Sequence, residues 1–190
     1  MLKYFFTPEN VCLIGASTNP DKLGFKILKN LIEGGYKGKI FPVNPKADTI
    51  LNLKSYKNVL EIPEVCELAI IVIPSEFVCN VAEECGKKGI KGLIVISAGF
   101  KETGPEGRKK EERLKEIVRK YKMRLIGPNC LGVIDTKNKL NASFASEMPL
   151  EGKISFITQS GALGTAILDW AVKENVGLSK FISFGNKADV

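Results

Sequence analysis

The sequence predicts an α/β protein, with a doubly wound parallel-sheet domain over residues 1–133 and the start of a second α/β unit over residues 151–190. Three observations predict it. Apolar runs of five or six residues alternate with amphipathic stretches of 10–16 residues. The best of these runs are continuously apolar, as strands buried on both faces require. The runs end on glycine, proline or small polar residues, the chemistry of strand-to-helix turns.

In chain order, residues 11–15 read as a buried strand. Residues 22–33 place Leu23, Ile27, Leu28 and Leu31 at helical spacing, and Gly34-Gly35 ends that helix. Residues 39–43 form the second strand, closed by a turn from Pro42 to Pro45. Residues 68–73 are six apolar residues before Pro74, a central parallel strand. Residues 76–88 are helical, with Phe77, Val81, Ala82 and Cys85 on one face and Ser75 as the cap. A strand over 92–96 precedes the clearest helix, 106–121. Its inward stripe is Leu114, Ile117, Val118 and Tyr121, and Glu111 belongs to a solvated charge run on the outer face. Residues 124–126 return to a strand. Residues 134–150 lack a helical period and read as a linker or an edge hairpin. The pattern then restarts, with a strand at 153–158, a helix at 161–174 carrying Leu163, Ile167, Leu168 and Trp170, and a strand at 180–184. One βαβ unit cannot bury its own apolar faces, so the chain is expected to be a piece of a longer protein.

With 190 residues, 44% of them apolar, the chain can bury a real core, which argues against disorder. Its apolar runs are too short to cross a bilayer, and Met1 to Phe6 lacks the pattern of a signal peptide. A cytoplasmic location is expected. The five cysteines follow no paired spacing and need no disulfides. The absence of histidine removes His-based acid/base chemistry and histidine-ligated metal, and no metal site is expected. The net charge of +7 resides entirely in residues 1–133, whereas 134–190 are balanced. That surplus fits a phosphorylated cofactor, or else a lysine-rich surface. Nucleic acid is not expected, because 24 of the 28 basic residues are lysines and the few arginines are not interleaved with exposed aromatics.

In a parallel sheet, ligands sit at the carboxyl ends of the strands. The first end, Gly15 to Gly24, offers a tight turn, the hydroxyls of Ser17 and Thr18, Lys22, and the free N–H groups of a helix start. It is either a phosphate cradle or an ordinary strand–helix turn. The second end reads Pro42-Val43-Asn44-Pro45-Lys46, where an NAD site would place a carboxylate. An amide and a cation there favour a ligand with a phosphorylated ribose, NADP or coenzyme A; the alternative for Lys46 is a surface lysine. The third end carries Pro74, Ser75 and Phe77, and the fourth Ser97-Ala98-Gly99-Phe100. The fifth is Gly127-Pro128-Asn129-Cys130-Leu131-Gly132. Cys130 reads as a small structural residue, since no base is present to activate it. In the second unit, Thr158-Gln159-Ser160-Gly161 puts Ser160 and Gly161 at a helix N-terminus fit for an anion.

Taken together with Ser183-Phe184-Gly185-Asn186, these loops resemble the alpha part of the NDP-forming acyl-CoA synthetases, which include ADP-forming acetate–CoA ligase and, more distantly, succinyl-CoA ligase. The resemblance implies a Rossmann-like CoA-binding domain over 1–133 and the start of a flavodoxin-like ligase domain over 151–190. It implies that Gly15, Ala16, Ser17 and Lys22 lie against the CoA phosphates, with Lys46 near the ribose phosphate and Asn44 and Pro45 also in the cofactor site. Pro74, Ser75 and Phe77 would border the adenine, Ala98 and Gly99 the pantetheine, and Asn129 and Cys130 the thiol. Ser160 and Gly161 would hold a phosphoryl group. The implied reaction joins a small organic acid, such as acetate, to CoA at the expense of ATP, through an acyl phosphate and a phosphohistidine. That histidine would lie beyond residue 190, and ATP/ADP and Mg2+ would be bound by an ATP-grasp beta domain or subunit. This chain alone would bind CoA without catalysing the reaction. A CoA-binding regulatory module, for example attached to an acetyltransferase, and an NADP oxidoreductase domain remain the alternatives. Oligomerisation stays open.

Overall fold

The computed structural model describes residues 2–190; Met1, at the head of the apolar start, lies outside the described residues. The chain runs β1 (Asn10–Ile14), α1 (Leu23–Glu33), β2 (Lys39–Val43), the two-residue strands β3 (Thr49–Ile50) and β4 (Leu53–Lys54), β5 (Leu68–Ile71), α2 (Ser75–Lys88), β6 (Gly92–Val95), α3 (Pro105–Lys120) and β7 (Arg124–Ile126). It continues through β8 (Gly132–Asp135), β9 (Leu140–Ser143), β10 (Glu151–Thr158), α4 (Gly161–Lys173) and β11 (Leu178–Ser183).

The larger sheet is all parallel, in the order β2-β1-β5-β6-β7. Its strands alternate between two cores because successive side chains leave opposite faces. Val11, Leu13, Leu68 and Ile70 pack with Ile27, Leu28 and Leu31 of α1. Cys12, Ile14, Ala69 and Ile71 pack with α2 and α3 through Val78, Ala82, Cys85, Leu114 and Ile117. The strand order reverses between β1 and β5, so a crevice opens there at the carboxyl ends. The outer edge of β7 is covered by the last residues of the chain. Asn186, Ala188 and Val190 donate backbone hydrogen bonds to Pro128, Gly127 and Leu125, and Arg124 Nε pairs with Asp189 Oδ2 at 2.8 Å.

The smaller sheet has the order β10-β11-β8-β9, with β10 and β11 parallel and the rest antiparallel. Within residues 134–150 lies most of the β8–β9 hairpin. Every residue of both strands is buried, and Asn30 of α1 donates to the Ser143 and Ala145 carbonyls at 2.9 and 2.8 Å. The second unit is thereby tied to the first.

Three expectations about helix faces are corrected. In α2 the buried stripe is Val78, Cys79, Ala82 and Cys85, leaving Phe77 56% exposed. Either stripe satisfies a 3.6-residue period; contact with α3, where Cys79 Sγ donates to the Lys110 carbonyl, selects this one. In α3, Glu111 is buried beside Leu114, 1% exposed, because Lys101 and Asn186 partner its carboxylate. In α4 the inner face is Gly164, Leu168 and Ala171, while Leu163 and Trp170 face outward.

Candidate functional site

A cleft of about 1,100 Å³ occupies the crevice at the carboxyl ends of β1, β2, β5 and β6, and the start of α4 and the turn after β11 close its far end. Its mouth is shaped by two glycines. Gly15 takes φ +95°, and a Cβ on it would stand 2.3 Å from the Val72 carbonyl oxygen; one on Gly24 would stand 1.9 Å from the Gly15 oxygen. The loop and the first turn of α1 therefore pack backbone to backbone.

The mouth is electropositive. No side chain caps α1 and its first turn holds no acidic residue, so free N–H groups meet the cleft at the positive end of the helix. Lys22 and Lys46 line this end, and among the described lining residues none is acidic. Asn44 holds Lys46 in place, with its Nδ2 donating to the Ala16 carbonyl at 2.6 Å and its Oδ1 accepting the Lys46 N–H at 2.7 Å. Ser17 is used locally, its Oγ accepting the Asn19 N–H at 3.1 Å.

Beyond the mouth the walls turn apolar, with Val72, Ile73, Pro74, Ile96 and Ala98. Ser97 fixes this waist by donating to the Ile73 carbonyl at 2.6 Å and accepting its N–H at 3.1 Å. The far end is polar again, with Asn129, Gln159 and Asn186 beside Cys130, Leu131 and Phe144. Asn129 has φ +57°, a left-handed conformation that Asn tolerates better than most residues. Cys130 donates its thiol to the Val95 carbonyl at 3.3 Å, and burial pushes its pKa up to about 12. A thiol so held is no nucleophile near neutral pH.

Of the residues singled out in the sequence, Gly15, Ala16, Ser17, Lys22, Asn44, Pro45, Lys46, Pro74, Ala98, Asn129, Cys130 and Gly161 meet at this one cleft. Four do not line it. Ser75 is the first residue of α2 rather than its cap, which is Pro74, and its Oγ accepts from Lys110 Nζ at 3.0 Å. Phe77 faces solvent. The Gly99 N–H donates to Glu102 at 2.6 Å, away from the cavity. Ser160 caps α4, its Oγ accepting the Leu163 N–H at 3.2 Å. Phe144, Gln159, Gly185 and Asn186 line the cleft without having been given a role. For Gln159, Gly185 and Asn186 a signal existed, since each follows a strand end. For Phe144, on the hairpin side, there was none.

Among the described residues no group of three or more His, Cys, Asp or Glu side chains is placed to hold a metal ion, and no helix is long and apolar enough to cross a membrane. All five cysteines are free and buried.

Residues 9–136 match the family described as CoA binding domain, and residues 151–190 the succinyl-CoA ligase like flavodoxin domain. The chain is 51% identical over 193 residues to the alpha subunit of acetate–CoA ligase [ADP-forming] I of Pyrococcus furiosus, covering all of this chain and 42% of that relative. It is 44% identical over 184 residues to a 4-hydroxybutyrate–CoA ligase [ADP-forming] of Nitrosopumilus maritimus, covering 96% of this chain and 26% of the relative. Among solved structures, the dinucleotide forming acetyl-coenzyme A synthetase 1 of Ca. Korarchaeum cryptofilum, in complex with phosphate and ADP, superposes with a TM-score of 0.96 at 43% identity, covering all of this chain and 40% of that one. The chain thus spans well under half the length of these relatives.

Proposed function

The chain belongs to the NDP-forming acyl-CoA synthetase family, as its CoA-binding part, and from that premise we propose that the cleft takes coenzyme A as substrate for an ADP-forming acid–CoA ligase. The observation that carries the reading is the three-part cleft, with two lysines and an uncapped helix at the mouth, an apolar waist and an amide-lined far end. CoA has the matching order of a phosphorylated nucleotide, a pantetheine arm and a thiol. Helix N–H groups and Lys22 bind the diphosphate, Lys46 the ribose phosphate, and Pro74 and Ala98 contact the arm. CoA contributes the thiol that accepts the acyl group.

The whole protein joins a small organic acid to CoA while ATP becomes ADP and phosphate. Acetate is the acid we favour, and the relatives named for acetate and for 4-hydroxybutyrate support a small carboxylic acid. The chain contains no histidine, so the phosphohistidine is supplied from outside these residues, as are the nucleotide and Mg2+ sites of an ATP-grasp beta part. Ser160 and Gly161, at the α4 N-terminus, offer the phosphoryl group a cap and free N–H groups. The match of residues 151–190 to a ligase domain favours this reading over a regulatory module. Five buried free thiols support a cytoplasmic location.

Calorimetric titration of this chain with CoA, dephospho-CoA and NADP at two salt concentrations tests the proposal. CoA is expected to bind in the micromolar range, more weakly at high salt. Loss of the ribose phosphate, or Lys46→Ala, is expected to cost about tenfold, the worth of one exposed charge-assisted contact. Tight NADP binding without CoA binding would overturn the assignment.

A further inference from the structure

Lys101, Glu102, Glu111 and Asn186 meet beneath the polar end of the cleft, and only Asn186 lines it. Asn186 is 8% exposed and Glu111 1%. The Asn186 amide nitrogen donates to Glu102 Oε2 at 2.5 Å and to Glu111 Oε2 at 2.8 Å. Lys101 Nζ donates to the Asn186 backbone carbonyl and lies 3.3 Å from Glu111 Oε1. That oxygen accepts no hydrogen bond, so it is compensated by charge alone. Two carboxylates converging on one neutral amide form a costly arrangement where an apolar contact would serve packing as well. What the arrangement provides is direction. Asn186 Nδ2 gives one hydrogen to each carboxylate, so both amide hydrogens turn towards them, and Oδ1 is left towards Asn129.

On that side stands Asn129, whose Nδ2 donates to Asn186 Oδ1 at 3.4 Å. The orientation of one amide therefore fixes the other, and Asn129 itself is exposed and lines the cleft. Glu102 extends the linkage. Its Oε1 accepts the Gly99 and Phe100 N–H groups at 2.6 and 3.1 Å, so a single carboxylate joins the loop after β6 to the turn after β11.

We propose that Asn186 is a positioning residue: oriented by Glu102 and Glu111, it aims the Asn129 carboxamide so that Asn129 donates a hydrogen bond to the pantetheine amide carbonyl nearest the thiol of CoA. This rests on the CoA reading above. Asn186 acts only through Asn129, and its effect is confined to the thiol-bearing arm.

The test compares CoA with adenosine 3′,5′-bisphosphate, which carries the nucleotide end and no arm. Both are titrated into the wild-type chain, Asn129→Ala, Asn186→Ala and the double variant. Asn186→Ala is expected to weaken CoA binding about three- to tenfold, the range for one hydrogen bond, and to leave the bisphosphate unchanged. Asn129→Ala should match it, and the double variant should lose no more than either, because the two residues act as a unit. Equal weakening of both ligands, no weakening of either, or additive losses would overturn the proposal. If the wild-type chain binds neither ligand, the CoA reading itself has failed, a result distinct from the others. Should Asn186→Ala not fold, Glu102→Gln carries the same test. Its oxygen still serves Gly99 and Phe100, while its amide nitrogen meets Asn186 donor against donor. A loss confined to CoA then supports the proposal, and unchanged CoA binding overturns it.

Discussion

The two sheets of the molecule differ in how completely they are covered. In the larger one, β1, β5 and β6 are buried along nearly their whole length between α1 on one face and α2 and α3 on the other. In the smaller one, the eight-residue strand β10 leaves Ile154 and Ile157 exposed at the sheet edge, and α4 turns Leu163 and Trp170 outward. Isolated exposed apolar residues are ordinary; four within β10 and α4 mark this unit as the less completely covered of the two. The cleft draws on both regions. Its cationic mouth belongs to the closed sheet, with Lys22 and Lys46 at the ends of its strands and helix. Its polar far end is completed by the α4 start and the β11 turn, which are held by fewer buried contacts. Binding strength is thus expected to come from the first region and arrangement at the thiol end from the second.

The sharpest way to break this comparison is to remove equal side chains from each region. Ile70→Ala empties a fully buried site in β5 and is expected to cost about 2–5 kcal/mol in denaturant unfolding. Ile157→Ala, on the exposed face of β10, should stay within about 0.5 kcal/mol. Equal losses would mean that the β10 face is covered in solution, and the contrast would vanish.

A smaller effect probes the seam between the regions. Asn30 makes two hydrogen bonds from α1 to the carbonyls of Ser143 and Ala145, across more than a hundred residues of sequence. Asn30→Ala strips both, and about 1–3 kcal/mol of stability is expected to go with them. Hydrogen exchange locates the loss: amides of β8 and β9 should exchange faster while those of β1 and β5 keep their protection. Uniform loss across both sheets would show one cooperative unit with no seam.

The larger sheet was legible in the sequence because its strands are unbroken apolar runs such as residues 68–71, which only burial on both faces explains. Helix faces were less so. In α2 two stripes, one through Phe77 and one through Val78, satisfy the same period, and only the packing of Cys79 on α3 distinguishes them. Glu111 was invisible for a related reason. A carboxylate inside a charge run reads as solvated, and its partner Asn186 lies 75 residues away. At the cleft, the loops that follow strands directly were legible from the rule that ligands meet strand ends. Phe144 was not, because it reaches the cleft from the end of an antiparallel hairpin, and the capping of α4 by the Ser160 hydroxyl was not read from the sequence either.

The smallest expected effect concerns the link that joins the regions beneath the cleft. Burial alone would raise the Glu102 carboxyl. Hydrogen bonds from Asn186 and from the Gly99 and Phe100 N–H groups outweigh it and hold the group below its ordinary value of 4.5. A carboxyl depressed in the folded state contributes stability above its unfolded pKa and loses it as the pH falls through the lower, folded value. Wild type is therefore expected to melt higher than Glu102→Gln at pH 7, with the gap closing progressively below about pH 4.5. The gap should be modest, since Glu102 is largely exposed and solvent screens it. Thermal unfolding of the two proteins between pH 7 and pH 3 measures it. A gap that persists unchanged at pH 3 would mean that the Glu102 charge contributes nothing to the link, leaving the buried Glu111 as the group that holds Asn186.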